Sequence, residues 1–409
     1  MTLIAGHAPR AEATPAAHPP PSRPPAPGRR WRLPRLDAAD RDVLLLYLLT
    51  RAALALVAYC TAWLFPHDPE ARTPGRLVAV AERWDWNHYL RIARDGYFPD
   101  DPAARPAEED NRAAFFPGFP LVLRLVHLAV PDWTVAGLLV SLVAGAVAVV
   151  ALARIARLHL PIAADGRRAV LLLLASPCAV FLAVGYTEAL FLAFALPAWL
   201  AALRRDWGAA ALLAACATTV RVSGLFLAAA LAVHFLLTAR ARGDLRRWPL
   251  LALPALPPLL HFGYLYARTG DPMAWKHAQE RGWYRDFHTP WESWSTTWDA
   301  AFGHAHPTSY ALLWQAELLA MVTGLLLVAY LLRARRLPEA CYVALSLWAL
   351  GTSYWYMSVP RAGLLWWPLW IGLARATVDR PRLWAAVLCL SVPLSVVLAV
   401  TFFSGRWAG

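Results

Sequence analysis

Long apolar runs recur along this chain, at roughly 43–65, 133–155, 169–185, 188–203, 208–220, 222–238, 249–266, 309–333, 339–357, 362–378 and 382–404. Hydrocarbon offers no partner for a backbone N–H or C=O, so a segment that crosses a bilayer must be a helix or a strand of a closed barrel. Most of these runs are far longer than the ~10 residues of a barrel strand, and several approach the ~20 that a spanning helix needs. The pattern predicts an all-α, polytopic membrane protein with about eleven transmembrane helices. Composition points the same way. Of 409 residues, 59% are hydrophobic and 16% charged, against roughly 45–50% and about 25% in a soluble domain. A soluble enzyme of one or two domains is excluded.

The formal charge of +12 would ordinarily suggest nucleic acid, but Lys276 is the sole lysine and most arginines stand in short turns between apolar runs. That arrangement sets topology and predicts no nucleic-acid partner. Alternate turns carry Arg154/Arg157/Arg167/Arg168, Arg204/Arg205, Arg240/Arg242/Arg246/Arg247, Arg333/Arg335/Arg336 and Arg375/Arg380/Arg382. The opposite turns hold little beyond Arg221 and Arg361. By the positive-inside rule the N-terminus is expected in the cytoplasm of a multi-pass plasma-membrane protein, with two long loops, about 66–132 and 267–308, outside. Residues 1–36, with nine prolines and no apolar core of signal-peptide length, are expected to be a disordered cytoplasmic tail ahead of one transmembrane domain over 37–409. The cysteines Cys60, Cys178, Cys216, Cys341 and Cys389 all fall inside apolar runs and read as small core residues.

Within the first outer loop, Trp84-Asp85-Trp86-Asn87-His88-Tyr89-Leu90 opens a stretch of helical period. Trp86, Tyr89/Leu90, Ala93 and Tyr97 share one face; Asp85, His88, Arg91 and Asp95 share the other. A short in-plane helix is expected, with Asp85 projecting from the membrane surface. After the acidic Glu108-Glu109-Asp110-Asn111-Arg112 comes Phe115-Phe116-Pro117-Gly118-Phe119-Pro120. Its two prolines oppose a continuous helix, so 113–130 is expected to be re-entrant or in-plane.

These motifs resemble a known family. The pairing of WDxxHYLxIAxxGY (Trp84 to Tyr97) with FFPGFP (Phe115 to Pro120) looks like the PIG-V family, the GPI mannosyltransferase II-like branch of the GT-C membrane glycosyltransferases. Ser176-Pro177-Cys178-Ala179-Val180-Phe181, Tyr186-Thr187-Glu188-Ala189-Leu190-Phe191 and Thr218-Thr219-Val220-Arg221-Val222-Ser223-Gly224 are similar to the family's NPAxxF, YSEALF and TRxxG series. Val220 and Ser223 depart from that pattern and leave Arg221 in place. The resemblance covers about residues 43–230. It implies a GT-C fold and a hexose, mannose by family, passed from a polyprenyl-phosphate donor to a glycan, glycolipid or protein acceptor with inversion, without metal, nucleotide or other cofactor.

Such a displacement needs a carboxylate to take the acceptor's proton and a cation to hold the departing lipid phosphate. The resemblance assigns the base to Asp85, which read from spacing alone is a solvated acid on an amphipathic helix. For donor binding the candidates are His88, Asn111, Arg112, Tyr186, Glu188 and Arg221. Glu188 has a plain structural alternative as a first-turn acid behind an N-capping Thr187, and Arg221 has one as an interfacial snorkel. Arg51 and Arg361 are weaker candidates for the phosphate. Trp275, Trp283, Tyr284, Trp291, Trp294 and Trp298 in the second loop suit either a sugar face or an interfacial belt. His277, His288, His304 and His306 lack metal-ligand spacing, and no phosphate-cradling glycine loop occurs. Two other classes compete: a transporter or flippase of lipid-linked sugars, and a non-catalytic binder of them. The first predicts paired broken helices with midplane charges, whereas here the polar residues gather in outer loops.

Overall fold

The computed structural model describes residues 36–66, 73, 75–98, 111–160, 165–242 and 245–408. The proline-rich tail, apart from Leu36, and the acidic Glu108-Glu109-Asp110 lie outside the described residues. Two units divide the chain, Met1–Asp37 and Ala38–Gly409, and the elements below belong to the second. They are helical throughout, with no strand among the described residues.

Among the described residues, five segments are long and apolar enough to cross a membrane: α1 (Ala38–Leu64), α4 (Trp133–His159), a 3-10 stretch from Leu245 running into α9 (Leu256–Thr269), α12 (Thr308–Arg333) and α16 (Pro381–Phe403). Shorter apolar helices are α3 (Gly118–His127), α6 (Thr187–Leu203), α7 (Trp207–Val220), α8 (Ser223–Arg242) and α13 (Leu337–Gly351). The rest are α2 (Asp85–Asp95), α5 (Asp165–Leu174), α10 (Ala274–Trp283), α11 (Pro290–Phe302), α14 (Val359–Gly363) and α15 (Trp367–Thr377). This is a multi-pass membrane architecture. The interior span is α4: 61% of its apolar window is buried, against 17% for α1 and α16, whose leucines and valines face outward as lipid-contacting side chains do.

Three expected spans are broken, two of them at proline. The run 169–185 divides into α5 and a 3-10 turn at Ala179–Leu182, because Pro177 supplies no N–H and holds Ser176 out of helical geometry. The run 249–266 begins as 3-10 helix over Leu245–Ala255, which contains Pro249 and Pro254. In the run 339–357 the helix stops at Gly351, and an irregular segment then leads into α14. Ser358 there adopts a left-handed conformation with φ 66°.

The first outer loop is anchored by close approaches at glycine. Trp86, 1% exposed, lies against Gly137 of α4 and Gly185, where an added Cβ would sit 2.5 Å from its ring. Gly118 of the FFPGFP motif abuts Thr219 of α7, and a Cβ there would meet the threonine's backbone oxygen at 2.7 Å. Backbone cannot retreat as a side chain can, so Gly118→Ala is expected to cost about 1–3 kcal/mol. The check is the thermal midpoint of the detergent-purified variant, which should fall; an unchanged midpoint would show the α3–α7 contact to be loose.

Candidate active site

Stretches distant in sequence meet at one pocket, among them the start of α2, the start of α6, the α7–α8 turn and α14. It is lined by Asp85 and Tyr89 of α2, Phe115 and Phe116, Thr187, Arg221, Trp275 and Gln279 of α10, Trp283, Arg285, Ser358, Arg361 and Trp407. Its volume is about 130 Å³. In a simple alternating topology these helix ends fall on one face.

Arg361 is the hub. Its Nη1 donates to Asp85 Oδ2 at 2.8 Å and its Nε to Glu188 Oε1 at 2.5 Å. The guanidinium lies over the adjoining rings of Phe181 and Tyr186, 4.7 and 4.9 Å from their centroids. Arg221 Nη1 donates to the same Glu188 Oε1 at 2.7 Å and to Thr187 Oγ1 at 2.5 Å. Two carboxylates and two guanidiniums thus alternate in one chain, and each charge is matched by contact. That condition is what makes such groups tolerable in a largely water-excluded site.

Local structure explains why each side chain arrives there. Trp84 precedes α2 with φ 50°, which turns the chain so that Asp85, the first helical residue, faces inward; it is only 8% exposed. The expected projection of Asp85 from the surface is therefore replaced by an inward ion pair, since the helix turns its first carboxylate toward a buried cation. Asp85 Oδ1 makes no hydrogen bond to another described residue, and the residue lines the pocket. Glu188 is fully buried and lies behind the wall. Thr187 does not cap α6: the capping position is Tyr186, without a side-chain cap, and the threonine hydroxyl is spent on Arg221.

Arg361 is held from behind by Glu317 of α12, a buried carboxylate that accepts the N–H groups of Ser358 and Val359, each at 2.7 Å. This fixes the left-handed Ser358 and the first turn of α14, and so the direction in which Arg361 leaves it.

The remaining sequence candidates are close to the pocket without lining it. His88 stacks on Phe115, centroids 4.8 Å apart, and meets Trp283 edge-on. Asn111 packs against Gly282 of α10. Arg112, 2% exposed, donates to the Gly96 carbonyl at 2.9 Å and ties the end of α2 to the turn before Phe115. Tyr186 lies under Arg361 and donates to the Arg83 carbonyl at 2.7 Å. In the second loop, Trp275 Nε1 and Gln279 Nε2 both donate to the Ala114 carbonyl, at 3.2 and 2.8 Å, so α10 is fastened to the FFPGFP segment. Trp291 and Trp298 are exposed on α11. No cluster with metal-holding geometry occurs among the described residues. Arg51 lies away from the pocket, over the Tyr47 ring in α1.

Sequence reasoning ranked Arg361 low and did not single out Arg285, Glu317 or Trp407. One signal was available for Arg361: with Arg221 it shares the arginine-poor set of turns.

Comparison with known proteins agrees with the motifs. Residues 44–245 match the family described as mannosyltransferase (PIG-V). GPI alpha-1,6-mannosyltransferase 2 of Mus musculus is 33% identical over 233 residues, 51% of this chain and 44% of the relative. The Cricetulus griseus protein of that name is 32% identical over 250 residues, 55% of this chain and 47% of the relative. The chain thus spans about half the length of the curated relatives it matches. Among solved structures, ArnT from Cupriavidus metallidurans bound to undecaprenyl phosphate aligns with a TM-score of 0.45 and 17% identity, over 86% of this chain and 63% of that one. The motifs that build the pocket from α2, α6 and the α7–α8 turn all fall inside the matched segment, and over residues 44–245 this chain is similar to the mannosyltransferase (PIG-V) family.

Proposed function

We propose that the protein is a membrane glycosyltransferase of GT-C type. It transfers a hexose, mannose by family, from a polyprenyl-phosphate-linked donor to a hydroxyl of a glycan, glycolipid or protein acceptor. The observation that carries the reading is the pocket itself: a carboxylate with one free oxygen, Asp85 Oδ1, faces a space bordered by Arg221, Arg285 and aromatic rings. In this reading Asp85 is the general base. Arg361 aims it through the hydrogen bond to Oδ2, which leaves Oδ1 toward the pocket. The acceptor oxygen attacks the anomeric carbon as its proton passes to Asp85 Oδ1, and the bond from that carbon to the phosphate oxygen breaks with its electron pair on the lipid phosphate. Inversion follows from the single displacement.

Arg221 is assigned to the donor phosphate, with Glu188 and Tyr186 fixing its neighbourhood. His88, Asn111 and Arg112 act on substrate by shaping the Phe115 wall and the junction with α10. Glu188 is the poorer base, because both guanidiniums already share its Oε1 and it stands behind the wall. In this reading residues 37–409 form a plasma-membrane transferase domain behind an N-terminal cytoplasmic tail, and the arginine asymmetry supports an outward-facing pocket.

The test is turnover by purified protein in lipid nanodiscs with polyprenyl-phosphate mannose or GDP-mannose and a panel of lipid and glycan acceptors. Release of polyprenyl phosphate coupled to acceptor mannosylation is expected from the first donor alone. Turnover of GDP-mannose, or translocation of the lipid-linked sugar without transfer, would reject the reading.

A further inference from the structure

Arg285 enters the pocket from the connection between α10 and α11, outside every motif that marks the family match. Of the three arginines lining this pocket, Arg361 is matched by Asp85 and Glu188, and Arg221 by Glu188. Arg285 makes no ion pair among the described residues; its Nη2 donates to a neutral oxygen, the Met357 carbonyl, at 3.3 Å. The carboxylate nearest in function, Glu317, is occupied by the two N–H groups at the start of α14. Burial depresses the Arg285 guanidinium to about 10, the positive charges of Arg221 and Arg361 add to that shift, and the negative charges of Glu317 and, less, Asp85 act against it. A half-buried cation with no ion-pair partner gains from an incoming anion.

The seat is also built in advance. Tyr354 N–H donates to the Tyr284 carbonyl at 3.1 Å and His288 N–H to the Thr352 carbonyl at 3.0 Å, so the segment carrying Arg285 is laced to the segment that precedes α14. An arginine fixed in this way loses little conformational freedom when it binds.

We propose that Arg285 is a phosphate seat on the second outer loop, which takes the phosphate of a polyprenyl lipid and serves the leaving group more than the incoming donor. The proposal rests on the reading of a lipid-phosphate donor given above. Its chemistry follows from charge. The donor's phosphodiester carries one negative charge, and after the sugar leaves the phosphate is a monoester approaching two. A guanidinium in ion-pair contact with neither Asp85 nor Glu188 stabilises the added charge, and it does so most where the bond to the sugar is breaking.

The probes are undecaprenyl phosphate, undecaprenol and inorganic phosphate, offered to the full-length protein in nanodiscs and read by native mass spectrometry. Wild type should retain undecaprenyl phosphate over undecaprenol. Arg285→Gln should lose that preference by about tenfold or more while binding undecaprenol as wild type does, which shows the variant to be folded; Arg285→Lys should recover part of it. A wild-type preference surviving in Arg285→Gln overturns this assignment and leaves the proposed function standing. Absence of the preference in wild type overturns the lipid-phosphate donor, and this seat with it. Displacement of the lipid by millimolar inorganic phosphate would overturn the lipid source in favour of a free anion.

Discussion

Replacement of Arg361 by alanine is expected to abolish transfer and to destabilise the protein at once. The side chain contacts Asp85 and Glu188 directly, and its removal leaves both carboxylates buried with less positive charge beside them. Breaking a buried pair by deleting one partner costs roughly 3–5 kcal/mol. The catalytic loss should be of the order that separates a positioned base from none, roughly two to four decades. Because the alanine variant risks misfolding, Arg361→Lys is the informative companion. An ammonium keeps the charge but cannot reproduce a planar fork that reaches Glu188 from Nε and Asp85 from Nη1. Arg361→Lys should elute as wild type in size-exclusion chromatography and still transfer at least tenfold more slowly. Wild-type turnover in the lysine variant would show that the fork is not needed.

Much of this site was legible in sequence because its motifs carry the geometry locally. Trp84-Asp85 and the residues that follow make a short helix of the expected period, and its apolar face, with Trp86, Tyr89 and Ala93, is buried as that period requires. Tyr186 to Glu188 and the Arg221 turn could be named because each is a compact signature. What they touch could not. The Asp85–Arg361 contact joins residues 276 apart, and no periodicity registers a contact of that kind.

The inward turn of Asp85 depends on the backbone of Trp84, and spacing alone placed the carboxylate on the solvated face. Arg361 was underrated because α14 has five residues, too few for a hydrophobic pattern, and because the run 339–357 reads as uninterrupted helix although it ends at Gly351. Glu317 is a single acid within an apolar helix, and its purpose appears only when the N–H groups of Ser358 and Val359 are seen beside it. The long spans were readable throughout; the breaks were readable only where proline caused them.

The second large effect is expected at Asp85. In Asp85→Asn the amide keeps the size of the carboxylate and can still accept a hydrogen bond from Arg361 through its oxygen, while the oxygen that faces the pocket gives way to an NH₂. An amide takes no proton at neutral pH. The variant should fold, since the loss of one charge leaves Arg361 paired with Glu188. The donor phosphate is assigned to Arg221 and Arg285, which Asp85 does not contact, so donor affinity should change little. Transfer should collapse by roughly two to four decades. Asp85→Glu should regain a small part of the activity, because the longer side chain carries the base but not the position.

The most direct test of the account is therefore a paired measurement on Asp85→Asn in nanodiscs: the affinity for polyprenyl-phosphate mannose, and the rate at which mannose passes from it to an acceptor that wild type uses. The account predicts donor binding within about twofold of wild type and a rate lower by roughly 10²–10⁴. A rate near that of wild type with the donor bound as usual would contradict it, and would move the base to another group in the pocket.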